Sequence, residues 1–113
     1  MSLLDYENLP HECTAQRRAR ESRSGGGTKD VWTDLWDESR RCWKQPATDT
    51  DREFAMRRDI AVSHKVFFTS DPGVDERDRL VFDDGGYLVR TRPKPDASVG
   101  MGVVWRVMID DGR

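Results

Sequence analysis

Closely spaced turn signals are the feature that most limits how this chain can fold. Glycine, proline and aspartate cluster in four places, at Ser22–Gly27, Asp71–Gly73, Asp83–Gly86 and Pro93–Gly102. Three consecutive glycines cannot hold a helix or a central strand, and Asp-Pro-Gly and Asp-Gly are typical of tight turns. The segments between these turns are short, which favours β structure over long helices.

Three of these segments show the pattern of strands directly. His11–Arg18 alternates apolar and polar residues, and Ile60–Thr69 alternates over its whole length. The third, Val103–Ile109, is rich in valine, tryptophan and isoleucine, which favour strands. These segments predict a mainly β chain.

Two further strands flank the Asp83–Gly86 turn as a hairpin, at Arg79–Phe82 and Tyr87–Arg92. The segment Asp30–Trp43 fits a helix or a strand by periodicity, and its Val-Trp-Thr opening favours a strand. We therefore predict a small barrel of about six short, mostly antiparallel strands. The apolar residues of these strands are the predicted core: Val31, Trp32, Leu35, Trp36, Val66, Phe68, Leu80, Phe82, Tyr87, Val89, Val104, Trp105, Val107 and Ile109.

One short helix is expected in a long charged loop, residues 44–59, between the second and third predicted strands. Thr50-Asp51-Arg52-Glu53 matches the capping box, in which a hydroxyl and a glutamate satisfy free amides at a helix start. The predicted helix runs over Asp51–Asp59, with Phe54 and Ala55 as its apolar side. Long ordered loops on small domains are usually functional.

Composition fits a single small domain spanning residues 1–113. The chain has a mass of 13.0 kDa, a mean hydropathy of -0.83 and a net charge of -2. No stretch approaches the ~20 apolar residues of a membrane span, so no membrane partner is expected. Residues 1–10 carry acidic groups in place of a secretory signal and are predicted to form an N-terminal arm, which favours a cytoplasmic protein.

The residues that carry chemistry do not form a recognisable active site. Cys13, Cys42 and His64 lack the closely spaced partners that a zinc site needs, and the two cysteines are predicted to be buried thiols. His64 lies on the apolar face of a predicted strand, where a core or interface histidine is the ordinary case. The segment Gly25–Lys29 lacks the spacing of a phosphate-binding loop. We therefore predict no enzyme, no metal and no cofactor.

Nucleic-acid binding is an alternative that the aromatic residues leave open. Trp32, Trp36, Phe67 and Tyr87 are interleaved with Arg40, Arg41 and Lys65, as stacking faces and phosphate contacts would require. A domain this short also needs its aromatic residues for a core, which is the interpretation we prefer. A single-stranded nucleic-acid-binding barrel therefore remains the alternative function.

Six short motifs follow one another along the chain in a fixed order and spacing. They are Thr14-Ala15-Gln16-Arg17, Val31-Trp32-Thr33-Asp34-Leu35-Trp36, His64-Lys65-Val66-Phe67-Phe68, Pro72-Gly73-Val74, Asp78-Arg79-Leu80-Val81-Phe82 and Gly86-Tyr87-Leu88-Val89. In this order and spacing, from about Pro10 to Ile109, the chain resembles the head-closure proteins (also called stopper or head–tail joining proteins) of long-tailed bacteriophages.

This resemblance implies a non-catalytic virion protein, assembled in the host cytoplasm, that forms a dodecameric ring of identical barrels. Its partners would be the portal or adaptor protein above, a tail terminator or tail-tube protein below, and packaged double-stranded DNA in the channel. A tail terminator or adaptor of the same connector is the neighbouring alternative. By the resemblance, the candidates for the channel constriction are Lys44, Gln45, Asp49, Asp51, Arg52 and Glu53.

Charge is distributed unevenly along the chain, and a ring of identical subunits needs a head-to-tail interface. Basic residues concentrate between Arg17 and Lys29, whereas acidic residues concentrate between Asp71 and Asp84. We expect the basic segment to meet the acidic one on a neighbouring subunit or connector protein, which would set specificity more than affinity. The candidate interface residues are Arg17, Arg18, Arg20, Arg23, Asp75, Glu76, Asp78, Asp83 and Asp84.

Overall fold

A closed, antiparallel β-barrel of six strands forms the body of the protein. The computed structural model describes residues 9–22, 25–97 and 103–112. The element order is β1 (His11–Ser22), β2 (Thr28–Asp34), β3 (Arg40–Pro46), α1 (Asp49–Met56), β4 (His64–Phe68), β5 (Asp78–Phe82), β6 (Gly85–Val89), β7 (Lys94–Asp96) and β8 (Val104–Asp110). The predicted mainly β barrel with one short helix is confirmed.

The barrel closes because β1 pairs with strands on both of its sides. The order around the barrel is β1, β3, β4, β8, β6 and β5, and β5 returns to pair with β1. β2 and β7 lie outside this circle, paired with β1 and β8 respectively. Closure leaves the six barrel strands without a free sheet edge along most of their length, which protects them from edge-to-edge aggregation.

Side chains that alternate inward along the strands fill the barrel. Nine of the predicted core residues are buried, namely Val66, Phe68, Leu80, Phe82, Tyr87, Val89, Val104, Val107 and Ile109. Leu35, Trp36 and Trp105 are partly buried and pack against the core. Val31 and Trp32 do not belong to the core, because they lie on a part of β2 that extends past the barrel.

The segment Asp30–Trp43 is two strands instead of the single strand that its composition predicted. β1 is 12 residues long, and β3 pairs with its first residues while β2 pairs with its last ones, along the same side. The strand is interrupted between them at residues 35–39, where Leu35 and Trp36 pack against the core. As a result, the helix lies between the third and fourth strands of the chain.

The helix begins two residues earlier than predicted, at Asp49, and ends at Met56. Thr48, not Thr50, is the N-cap: its hydroxyl accepts a bond from the Asp51 amide, and the Asp51 carboxylate accepts one from the Thr48 amide. Ala55 is buried, but Phe54 is exposed. The eight-residue α1 is the one helix of the described ranges, and it is too short to span a membrane.

The remaining predictions of local structure are met in part. The Asp71–Gly73 turn is present, with Gly73 at a φ of 68° that favours glycine. The hairpin around Asp83 and Asp84 is present as β5 and β6. The predicted Pro93–Gly102 loop contains the short strand β7, and its residues 98–102 lie outside the described ranges. Most of the predicted N-terminal arm, residues 1–8, also lies outside them, whereas Leu9 is buried.

Candidate interaction surfaces

The end of β1 and the start of β2 extend from the barrel as a two-stranded ribbon. The pairing of β1 with β5 ends at Arg17, and beyond that residue β1 pairs only with β2. We call Arg18–Ser22 and Thr28–Trp32 the projecting ribbon; residues 23 and 24 between them, with the predicted interface residue Arg23, lie outside the described ranges. The molecule measures 59 × 34 × 23 Å, in keeping with such an extension.

An ion-pair network fixes the base of the projecting ribbon to the barrel. Arg17 donates two hydrogen bonds to the fully buried Asp78 carboxylate, at 2.8 and 3.0 Å. Asp78 also accepts from the Asp75 amide at 2.8 Å, so its oxygens are well satisfied. These bonds to the Asp78 carboxylate raise the pKa of Arg17. The network is local to one chain.

Asp75 belongs to the same network through Arg77. The Arg77 guanidinium donates to the Asp75 carboxylate at 2.8 Å, and this bond lowers the pKa of Asp75 to about 2. Arg17 lies 3.7 Å from Asp75 as well. Of the predicted interface charges, Arg17, Asp75 and Asp78 therefore satisfy each other within the chain.

The outer face of the ribbon combines an aromatic ring with arginines. Trp32 lies directly opposite Arg18 in the β1–β2 pairing. The Arg79 guanidinium lies over the Trp32 ring, 4.3 Å from its centroid, and is held there by hydrogen bonds to Gln16. Arg18 makes no ion pair or side-chain hydrogen bond within the described residues. Among the described residues, this face therefore presents an arginine without an ion pair next to a half-buried tryptophan.

The charges of the ribbon are of both signs. Arg20 lies 3.6 Å from Asp30, and both side chains are exposed. The ribbon carries three cations (Arg18, Arg20, Lys29) and two anions (Glu21, Asp30). A surface that binds phosphate backbones is expected to be uniformly basic, and this mixture of charges differs from that expectation.

A groove of about 740 Å³ lies at the opposite end of β1 from the ribbon. Its lining includes Pro10, Glu12, Lys44, Phe82, Asp83 and Asp84. The pairing between β1 and β5 ends at Thr14 and Val81. From His11 to Cys13, β1 pairs with β3 on its other side, so the groove forms on the side that faces β5. The groove therefore combines charged side chains with a few apolar ones, and among the described residues β1 has no strand partner at Glu12 on the side that faces β5.

Lys44 closes one wall of this groove. Its ammonium group bonds the Asp84 carboxylate at 3.0 Å and the Tyr87 hydroxyl at 3.2 Å, and lies 4.5 Å from the Phe82 ring centroid. Although burial opposes the charge, these bonds to Asp84 and Tyr87 raise the pKa of Lys44. Asp83, the other residue of the hairpin tip, makes no ion pair within the described residues. Asp84 is thus engaged inside the chain, and Asp83 is free to meet a cation.

The charged segment predicted as a long loop with one helix is partly strand. Lys44 and Gln45 belong to β3, and Asp51 forms a 3.0 Å ion pair with Lys65 in which both side chains are largely buried. Lys44, Gln45 and Asp51 are therefore held against the barrel. Asp49, Arg52 and Glu53 remain on the exposed side of the helix.

The cysteines and histidines have structural surroundings. Cys13 and Cys42 are free, buried thiols with their sulfur atoms 3.7 Å apart. The contact with Cys42, together with burial, raises the pKa of Cys13. His64 bonds Ser63 at 2.8 Å and packs edge-on against Tyr87, and burial lowers its pKa. Within the described residues no group of three or more metal-ligating side chains occurs.

The aromatic residues considered for nucleic-acid stacking divide into two groups. Phe67 and Tyr87 are buried in the barrel wall and core, so a base cannot stack on them while the barrel is closed. Trp36 donates to the Pro72 carbonyl at 2.9 Å and packs against Phe68. Trp32 remains partly accessible, and its ring carries the Arg79 guanidinium.

The fold defines a small closed β-barrel with one projecting hairpin. No protein-family profile matches the chain, and no curated protein matches it in sequence. Among solved structures, the chain is similar to protein SF1141 from Shigella flexneri 2a, at 10% identity and a TM-score of 0.65. The match covers 93% of this chain and 95% of SF1141. A likeness at this identity shows a shared fold and carries no statement about function.

Sequence reasoning did not find the groove or the stacked pair of Trp32 and Arg79. Both depend on strand register between residues far apart in the chain. The one signal available was the strand-like alternation of His11–Arg18, which indicates a strand but not where its partners begin and end.

Proposed function

We propose that this chain is a structural protein of the head–tail connector of a long-tailed bacteriophage. In this proposal it forms a head-closure ring beneath the portal and adaptor, retains the packaged double-stranded DNA and presents a docking surface to the tail. The proposal assigns the protein to the virion and gives it no catalytic role. The motif order that resembles head-closure proteins supports it.

The observation that carries the proposal is the projecting ribbon on a closed barrel. The barrel has satisfied most of its own strand edges, whereas the ribbon extends beyond it with an exposed outer strand. A monomer gains little stability from such an extension, because its residues bury almost no apolar surface. Contact surface offered to neighbouring subunits is the simplest role for it.

The segment that carries α1 supplies the second surface that a ring of this kind needs. Asp49, Arg52 and Glu53 are exposed and of mixed sign. A channel lined by cations alone would bind the DNA backbone tightly, whereas interspersed carboxylates let DNA pass. In this proposal these three residues face the channel, and Lys65 and Asp51 hold the helix to the barrel behind them.

Depletion of the protein from infected cells tests the proposal. We expect heads that fill with DNA but then lose it, together with free, complete tails, and we expect the purified protein to restore joining when it is added to filled heads and tails. Normal infectious particles made without the protein would contradict any connector role. Heads that never fill would place the protein at an earlier step, and heads that keep their DNA but stay tailless would favour the tail-side alternative.

A titration with labelled oligonucleotides separates the proposal from a single-stranded nucleic-acid-binding barrel. A binding protein of that class shows tight and strongly salt-dependent affinity. We expect weak binding here, because two of the candidate stacking rings are buried and the ribbon carries charges of both signs.

A further inference from the structure

The ribbon and the groove lie at opposite ends of β1, too far apart to meet in one molecule. From Glu12 in the groove to Arg20 on the ribbon the strand rises about 26 Å, at roughly 3.3 Å per residue. A surface at one end that fits a surface at the other end produces head-to-tail assembly, which closes into a ring when the rotation between copies allows it.

The two surfaces complement each other in charge. On the ribbon, Arg18 has no anion among the described residues, and in the groove Asp83 has no cation there. The other groove charges are already occupied, since Glu12 is bonded by Ser39 and lies 3.9 Å from Arg41, and Asp84 is paired with Lys44. On the face of the ribbon that carries Trp32, Arg18 is therefore the cation without an ion pair among the described residues, and Asp83 is the corresponding anion of the groove.

The two surfaces also complement each other in polarity. Trp32, beside Arg18, is a half-buried ring on the outer face of the ribbon. The groove contains the apolar side chains of Pro10, Val81 and Phe82 next to Asp83. A tryptophan with an adjacent arginine is a common anchor in protein interfaces, where each residue needs this kind of counterpart.

Backbone groups add a third match. The Leu35 amide donates to the Ala15 carbonyl at 2.8 Å. This bond shows which residue pairs along β1 and β2 are hydrogen-bonded and which are not. By the alternation of an antiparallel pair, the backbone groups of Asp30 and Trp32 then point away from β1. In the groove, no other strand of the described ranges pairs with β1 at Glu12 on the side that faces β5. Each surface therefore offers strand backbone that a second copy can satisfy.

We infer that the projecting ribbon of one copy docks in the groove of a second copy, with Arg18 beside Asp83 and Trp32 against Pro10 and Val81. This inference rests on the proposed function, because it names the contact that would close the ring. It also identifies which of the predicted interface charges act between subunits, since Arg17, Asp75 and Asp78 are engaged within one chain. The occupant of the groove is a second copy of this chain.

A charge exchange tests the contact by sedimentation velocity from micromolar to millimolar concentration. Arg18→Glu and Asp83→Arg should each weaken self-association by about tenfold or more, since each places like charges together. The double variant R18E/D83R should restore association to within about threefold of the unaltered protein. Arg57→Glu and Asp37→Arg, at exposed positions outside both surfaces, should leave association unchanged.

Crosslinking between two variants gives an independent measurement. Copies carrying Arg18→Cys mixed with copies carrying Asp83→Cys should form a covalent dimer, whereas Arg18→Cys copies alone should not. The native cysteines are buried and do not compete. The inference would be overturned if neither Arg18→Glu nor Asp83→Arg weakened self-association, or if the protein did not self-associate at any concentration. Failure of the docking contact would leave the connector role to be decided by the depletion experiment. Normal particles made without the protein would reject the connector role even if the copies dock as inferred.

Discussion

Arg17 and Asp78, 61 residues apart in the chain, form a two-point ion pair that joins the base of the projecting ribbon to β5. Asp78 is fully buried, whereas the Arg17 side chain is 31% exposed. A carboxylate in such a position is stable only while its partner is present, because burial removes the water that would otherwise solvate it. The direction of the ribbon therefore depends on this pair.

Replacing Asp78 tests that dependence. Asp78→Asn keeps the shape but removes the charge, and we expect a loss of about 3 kcal/mol in unfolding free energy, the low end for a broken buried pair because Arg17 can reach water. Asp30→Asn, which breaks the exposed pair with Arg20, should cost less than about 1 kcal/mol. Urea unfolding followed by circular dichroism measures both. Equal losses of unfolding free energy in the two variants would show that the buried pair stabilises the protein no more than the exposed one.

The stability of the protein should fall in acid over a window set partly by Asp75. Its pKa in the folded protein is about 2, below its ordinary value of 3.8, because Arg77 bonds the carboxylate. A group with a lowered folded pKa adds stability above its unfolded value, and that stability is lost as the pH falls through the folded value.

Asp75→Asn should therefore be less stable than the unaltered protein at neutral pH, and the two should converge as the pH approaches 2. Unfolding by urea at a series of pH values gives the comparison. Asp37→Asn, which alters an exposed carboxylate without a partner in the described residues, should leave the pH dependence unchanged. A constant difference between Asp75→Asn and the parent at all pH values would refute the assignment.

Trp36 and Trp32 are expected to respond differently to truncation although they lie four residues apart. Trp36 packs edge-on against Phe68 and donates to the Pro72 carbonyl. We expect Trp36→Ala to cost about 3 kcal/mol, whereas Trp36→Phe, which keeps much of the packing, should cost about 1 kcal/mol. Trp32→Ala should cost about 1 kcal/mol or less, since it removes a ring from the ribbon and one stacking contact.

Equilibrium unfolding of the three tryptophan variants checks this order. A Trp32→Ala variant as unstable as Trp36→Ala would place Trp32 in the folding core after all.

The start of the helix gives a prediction with a close internal control. Thr48→Ala removes the hydroxyl that bonds the Asp51 amide, and should destabilise the protein by about 1 kcal/mol. Thr50→Ala lies inside the helix, where alanine is the better helix former, and should be neutral or slightly stabilising. Thermal unfolding distinguishes the two, and the reverse order would return the cap to Thr50.

The two threonines also show why the sequence could place the helix but not its first residue. Thr50 and Glu53 have the spacing of a capping box, and Thr48 and Asp51 have the same spacing with a shorter acid. The choice follows from Lys65 on β4, which pairs with Asp51 in a largely buried position. That partner comes from the tertiary fold, and local pattern cannot reveal it.

Alternation and turn residues predicted the barrel well because both are local properties of strands. The β5–β6 hairpin and the alternation that ends in Val66 and Phe68 needed no distant information. The ribbon could not be predicted from local pattern, because Arg18–Ser22 has no apolar alternation and forms a strand only through its pairing with Thr28–Trp32. Charge segregation likewise indicated that Arg17 has acidic partners far along the chain, but it could not tell a contact within one chain from a contact between chains.

The α1 segment packs on the barrel through a small apolar cluster of its own. Ala47, Ala55, Val62 and Met108, with Ile60 against them, are separate from the main core. Because a small cluster opens at a lower free energy than a whole barrel, the molecule has two levels of cooperativity. Amide protons of α1 should then exchange with solvent through a local opening, while those of β4 and β8 wait for global unfolding. The α1 segment can thus change its conformation while the barrel stays folded.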